Sequence, residues 1–404
     1  MTDEGVMGAK LRVCLLIALC MPALVAGQQS APVQSKVPES RPKPERKGRH
    51  DYVRRDPVET FVATPMRVAH LEEVVAETHG KHDADVAREL SGLRLTERLS
   101  DARLQLWEKA LPGKKARTEL AAIAFASVFL APPAVEIPAL DAPDLAAQHH
   151  MLAQTVDLLD KSIPKLPNFS VTEKVIHYED MLEVPESEGA AEPSVQPWRL
   201  TRSFKRVVRC NGGNEDQDEG NSKEKQNQKT EGLFGPILSR VVVDASHSKV
   251  TWSRWEQTEA GLRGVFRYEV LEADSDYGIS KRTHSENGKD VFVQRRTGYH
   301  GEIAIDPASG VISRLTIVAD FVPDSPIDRI DVMVEYGPVQ MGGRTYNFPL
   351  RSITISGQHN EFQDQEGLGS VEFAETTLQE VTFGDYQVKG SRSTLSTGSA
   401  QATP

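Results

Sequence analysis

Apolar residues recur at helical spacing through the first half of the chain and at alternate positions through the second, so helices should come first and strands after. Thr64 before Pro65 reads as a helix start, a capping residue with proline in the first turn, and Val68, Leu71 and Val75 continue its apolar stripe. Asp83 opens a second helical pattern through Val86, Leu90 and Leu93. Ser100 opens a third through Leu104, Trp107 and Leu111, stopped by Pro112-Gly113. A fourth helix over 115–130 carries Leu120, Ile123, Val128 and Phe129 and ends at Pro132-Pro133. The fifth follows Pro143, with Leu145, His149, Leu152, Val156, Leu159 and Ile163 on one seam, which makes His149 a hydrogen-bonded core histidine. Short links marked by proline or glycine favour a compact bundle over 62–164.

From Asn168 the period changes to two. Residues 169–179 (FSVTEKVIHYE) alternate, an acidic stretch over 183–197 interrupts, and 198–210 resumes as strand. Residues 211–230 carry no apolar side chain and read as a flexible loop. Phe234 to Ser246 is one more helix, with Pro236 in its first turn. Strands then follow over 250–256, 264–271, 299–305, 311–321, 330–336, 344–356 and 371–383, with Gly342-Gly343 as a hairpin tip. No helix of crossover length separates them, so the sheet is expected to be largely antiparallel, with one face to water and the other under the helix at 234–246. The expected class is α+β: an N-terminal helical bundle, then a curved, largely antiparallel β-sheet domain with a covering helix.

The N-terminus adds a destination. Lys10 and Arg12 precede an apolar run over 13–26 (VCLLIALCMPALVA), and small residues lead into Gln28-Gln29-Ser30, the form of a cleavable secretory signal. Asp3 and Glu4 fit an n-region poorly, so Met7 competes with Met1 as the start. The expected organisation is a signal peptide over 1–27, a disordered linker over 28–61, a helical domain over 62–164, a β domain over 165–388 and a disordered tail over 389–404. Neither Cys14 nor Cys20 follows the small residue that a lipoprotein anchor needs. Removal of the signal would leave Cys210 alone, without an intrachain disulfide. No later segment is long and apolar enough to span a bilayer.

Among 404 residues, a formal charge of −11 disfavours general nucleic-acid binding. The basic stretch over 41–55 is proline-bearing and aperiodic, as a linker is. His79 and His82 lack further ligands at zinc spacing. Asn214, Asp216 and Asp218 begin a calcium-loop pattern that the displaced Gly220 and Lys225 break. The S-x-x-K pairs at Ser162 and Ser246 sit at helix ends, without their partner motifs. Asp306, Asp320 and Glu335 read as solvated. Trp252 and Trp255, three apart in one strand, should point to opposite faces. No catalytic, cofactor-binding or metal-ligating set stands out. What remains is an apolar cleft between helix and sheet, lined by Ile237, Leu238, Val241, Val242, Trp252 and Trp255.

Residues 90–180 (with LSGLRLTERLSDARL, LPGKKAR, FLAPPAVEIP and IPKLPNF) and 299–353 (YHGEIAIDPASGVISRL, VEYGPVQMGGRTYNFPLRS) resemble a group of uncharacterised exported proteins common in acidobacteria. That resemblance implies export and domain order, and no activity. The helix followed by many antiparallel strands is similar in architecture to the half-barrels of periplasmic lipoprotein-carrier proteins and their sensor relatives. The leading expectation is a non-enzymatic periplasmic or secreted binding protein for an apolar ligand or a partner segment from an envelope protein. A scaffold protein acting through the helical domain and a cell-envelope hydrolase stand as alternatives.

Overall fold

The computed structural model describes residues 53–54, 63–183, 194–211, 214–217, 233–284, 290–321, 327–363 and 369–388. In chain order the elements are β1 (Val53–Arg54), β2 (Thr64–Met66), α1 (Val68–Ala76), α2 (Asp83–Ser91), β3 (Leu93–Leu95), α3 (Asp101–Ala110), α4 (Lys114–Ala126) and α5 (Leu145–Ser162). Next come β4 (Phe169–Glu183), β5 (Ser194–Asn211), β6 (Asn214–Gln217), α6 (Pro236–Ser246), β7 (Lys249–Thr258), β8 (Gly261–Val270), β9 (Gly278–His284), β10 (Asp290–Arg296) and β11 (Gly298–Ile305). The chain closes with β12 (Ile312–Asp320), β13 (Ile327–Met341), β14 (Arg344–Gln363) and β15 (Gly369–Val388). The expected signal peptide, most of the linker, most of the 211–230 loop and the C-terminal tail lie outside the described residues. Within the expected linker, β1 pairs in parallel with β15, and within the expected loop, β6 pairs with β5.

Period-two sequence produces a large antiparallel sheet in the order β6-β5-β4-β15-β14-β13-β12-β11-β8-β7, so the protein is mixed α+β. Gly342 and Gly343 form the two-residue tip joining β13 to β14, both at positive φ, where a side chain would be strained. The β9–β10 hairpin is a separate two-stranded sheet.

Both faces of the sheet are covered, which corrects the expected wet face. Val332, Met333 and Val334 on β13 point alternately into two different cores. Met333 joins Tyr178, Ile353, Ile355 and Leu378 beneath the apolar sides of α1 to α4, including Leu71, Leu90, Trp107 and Leu120. Val332 and Val334 join Val171, Val175 and Val381 on the opposite side, with Ile237, Leu238, Val241 and Ala245 of α6. Helix α4 lies against β5 and β15 and α6 against β7 and β8, while α2 packs on α4 and α1 on α3; the four N-terminal helices still share one core with sheet residues, so the expected boundary at residue 164 does not divide two separate cores.

Three helical details depart from the sequence pattern. Thr64 and Pro65 are extended in β2, which pairs in parallel with β3, so α1 begins only at Val68. Leu93 belongs to that pairing rather than to α2. Helix α5 leaves its four predecessors: Met151, Leu152 and Leu159 pack in the α6-side core, Thr155 is buried, and His149 is exposed. The rotation follows from where α5 docks. Thr155 Oγ1 donates to Gly310 O at 2.8 Å on the β11–β12 turn. Gly310, at φ +73°, lies so close that a Cβ would stand 2.9 Å from the α5 backbone.

Helix α4 is capped from outside. Asp83, the first residue of α2, accepts Lys115 N at 3.0 Å and Ala116 N at 2.9 Å, and these bonds lead in holding its carboxyl below the usual range. Gly113 leaves the room, since a Cβ there would lie 2.4 Å from the Asp83 carboxylate.

Candidate groove and charged lattice

A groove of about 1180 Å³ opens where β13 departs from β12. Arg314 pairs with Glu335, but the register between β13 and β14 shifts between Glu335 and Tyr336, and Leu350 is the extra residue of that bulge. The β12–β13 ladder ends at that Arg314–Glu335 pair, and the outer half of the β13–β14 hairpin reaches β12 through a side chain, Asn347 Nδ2 donating to Ile312 O at 2.8 Å. Leu350, 42% exposed, lines the groove together with Tyr336, Pro338 and Tyr346. Gly337 clears its position, for a Cβ there would meet Leu350 Cδ1 at 2.5 Å.

The opposing apolar wall comes from Leu158 and Leu159 of α5, from Ile163 and Leu166 just after it, and from Phe234 and Leu238 at the start of α6. Phe234 is held edge-on against Phe169 and Phe383, at centroid distances of 5.3 and 5.4 Å. Four arginines, Arg98, Arg263, Arg314 and Arg351, and six carboxylates, Asp101, Glu136, Glu256, Glu259, Asp306 and Glu335, also line it, among uncharged side chains such as Gln105, Ser313 and Asn347. One cavity thus joins an apolar wall to an ionic one.

The ionic wall belongs to a lattice across the sheet face that α1 to α4 cover. Glu256 on β7 receives Arg98 at 2.7 Å, Arg314 at 3.1 Å and the neighbouring Arg254. Glu302 on β11 receives Arg254 at 2.6 Å, Arg267 at 3.5 Å and Arg314 at 3.7 Å. Burial pushes the Glu302 carboxyl up, but the bonds and charge of Arg254, with Arg267 and Arg98, hold it below the usual range. Across the strands, Arg351 on β14 faces Glu335 at 3.6 Å, Glu380 at 3.0 Å and Asp101 of α3 at 2.7 Å, with its guanidinium 4.9 Å from the Phe125 ring centroid. Burial raises the pKa of Glu335 and of Glu380 despite Arg351.

Glu335 is therefore not the solvated carboxylate that the sequence suggested; it is half-buried in the lattice. Asp306 caps its own turn through Ala308 N and Ser309 N and meets Arg263 at 2.9 Å, and Asp320 meets His300 at 2.9 Å. The signal was a run of opposite charges on adjacent strands, with Arg314 beside Glu335 and Glu335 beside Arg351. An assumed open face hid it.

Of the six residues expected along an apolar cleft, Leu238 lines the groove. Ile237 and Val241 are core residues, and Val242 and Trp252 pack half-buried against that core. Trp252 and Trp255 do not point apart: a bulge between Trp252 and Arg254 turns them together, at a centroid distance of 4.8 Å. The Trp255 indole N–H donates to Asp141 O at 2.9 Å. Cys210 is buried in β5, whereas His79 and His82 are exposed. Ser246 Oγ lies 3.1 Å from His247 Nδ1, but both atoms also bond Val243 O, an arrangement that closes the end of α6. Among the described residues, no three His, Cys, Asp or Glu side chains converge as metal ligands, and no helix is long and apolar enough to cross a membrane.

Glu119 on α4 is a further perturbed carboxyl, pushed up to about 7 by burial against the weaker pull of Arg199. A carboxyl raised in the folded state favours folding at low pH, and that contribution is lost as pH rises through the folded value. Glu119→Gln should therefore gain melting temperature relative to wild type between pH 4.5 and 7, with a constant gap above that window. Parallel pH–Tm curves across the window would refute this assignment.

The chain matches no protein-family model, no curated protein and no solved structure.

Proposed function

We propose that this is an exported, non-enzymatic bacterial binding protein that holds a ligand with an apolar body, or an apolar partner segment, in the groove beside the β13–β14 hairpin. The carrying observation is a cavity of about 1180 Å³ with an apolar wall, a size suited to a small amphiphile or a few side chains. In this reading α1 to α4 act as a helical module over the charged face and α6 as the cover of the other face, while α5 and the hairpin form the two lips. The leader-like N-terminus supports delivery to the periplasm or the medium. The apolar stripes of α1 to α4 are already buried in a core shared with the sheet, which favours the groove over a free helical module as the working surface.

Titrating the full chain with the neutral fluorophore N-phenyl-1-naphthylamine is expected to give saturable enhancement at one site. Leu158 lines the groove half-buried, outside both main cores, so Leu158→Glu should weaken the probe about tenfold with an unchanged circular dichroism spectrum. Linear, non-saturating fluorescence would remove the proposal.

A further inference from the structure

The charges that line the groove already answer one another. Arg98 and Arg314 meet Glu256, Arg263 meets Asp306, Arg351 meets Asp101 and Glu335, and Glu136 meets Arg103. The remaining lining carboxylate, Glu259, stands exposed on the turn between β7 and β8, where water screens it. A charged head of either sign would leave water with no counter-charge waiting for it, and would have to break an existing pair to gain one. Uncharged hydrogen-bonding groups keep spare capacity. Tyr346 lies flat against Phe348, with ring centroids 5.4 Å apart, and its hydroxyl makes no hydrogen bond among the described residues. Next to it in sequence, Asn347 spends an amide N–H on Ile312 O and keeps its carbonyl.

The hairpin edge that walls the groove is poorly suited to an added strand. Met341 and Arg344 flank the two-residue turn as a hydrogen-bonded pair, and alternation down the ladder gives Val339 with Tyr346 and Gly337 with Phe348 the same role. Pro338, between them, therefore turns its backbone outward, and its nitrogen has no hydrogen to offer. A strand laid along this edge would lose a ladder bond at its middle.

We infer that the groove takes an uncharged, non-peptide amphiphile, with a hydroxyl-bearing head at Tyr346 and Asn347 and an aliphatic tail along Leu158, Leu166, Phe234 and Leu238. The inference rests on the groove reading above and adds the ligand class, choosing a small molecule over a partner segment.

The test displaces the bound fluorophore from the full chain with 1-monododecanoylglycerol, dodecanoate and dodecyltrimethylammonium, which share one tail length, and with a capped peptide of alternating valine and threonine. At about pH 8 the acid is ionised, so the three amphiphiles carry neutral, negative and positive heads. The glyceride is expected to displace the fluorophore at a concentration about tenfold lower than either ion, and the peptide to leave it bound. Tyr346→Phe keeps the ring against Phe348, so it should weaken the glyceride about fivefold and leave the fluorophore's own affinity unchanged. An unchanged glyceride in that variant overturns the placement of the head. Either ion matching the glyceride, or the peptide displacing the fluorophore as well as the glyceride does, overturns the inference and leaves the apolar-groove proposal standing, whereas absence of any saturable fluorophore site overturns both.

Discussion

Gly301→Ala is expected to lower the unfolding free energy by about 3 kcal/mol, at the upper end of what forcing atoms into a packed interior costs. Gly301 lies where the β11–β12 ladder has a gap, between the pairs His300 with Val318 and Ile303 with Leu315. Into that gap Tyr268, buried on β8, sends its hydroxyl to donate to Thr316 O at 2.6 Å, while Glu302 N donates to Thr316 Oγ1 at 2.9 Å. A Cβ on residue 301 would stand 1.9 Å from Thr316 O and 2.8 Å from the Tyr268 hydroxyl. The first of these obstacles is backbone and cannot rotate away. The strands must part, and the tyrosine hydroxyl then loses its acceptor inside the protein, adding the penalty of an unmet buried donor. Urea unfolding measures the loss, and a midpoint equal to that of wild type would show that the gap is looser than its distances imply.

Replacing Glu256 by Gln should cost a similar amount, about 3 kcal/mol or more, for an electrostatic reason. Its side chain is 7% exposed and accepts from three arginines. Removing the charge while keeping the shape leaves those buried guanidiniums leaning on Glu302 alone, and an uncompensated buried charge is far more costly than a lost surface pair. Arg98 precedes α3, so the variant should also loosen the helical segment from the sheet, visible as faster amide exchange in α3 and α4. Glu269→Gln is the matched control. That carboxylate is 54% exposed and 3.6 Å from Lys249, so its loss should change stability by no more than about 0.5 kcal/mol. Equal effects of the two substitutions would mean that the lattice is solvent-screened.

Element type was legible wherever periodicity or turn chemistry acts locally. The alternation from Phe169 onward, the Gly342-Gly343 tip and the helix opening at Ser100 needed only nearest neighbours in sequence. What each face touches was not. The α5 pattern named an apolar seam, yet the buried line runs through Met151 and Thr155, because the helix is fixed by Gly310, far along the chain. The tryptophan pair failed for want of a local cue: a bulge adds one residue and reverses which side chains share a side, with no glycine to announce it. The β9–β10 hairpin had its cue, Asn287-Gly288, but its strands are too polar to show a core-facing alternation. The ionic half of the groove was lost to a wrong premise. Charges at alternate positions normally mean water, and here they mean a second layer of protein above the sheet.

Pairing of β4 with β15 also governs the order in which the sheet can be completed. As the polypeptide grows from its N-terminus, β4 and β5 can zip together early, but the opposite edge of β4 waits for the last strand to emerge. During that interval a row of backbone donors and acceptors, flanked by Val171 and Val175, stands open to any passing strand. A chain that stops before residue 369 never gains the strand that joins its two halves, so the closing segment acts as a completeness check on the whole molecule.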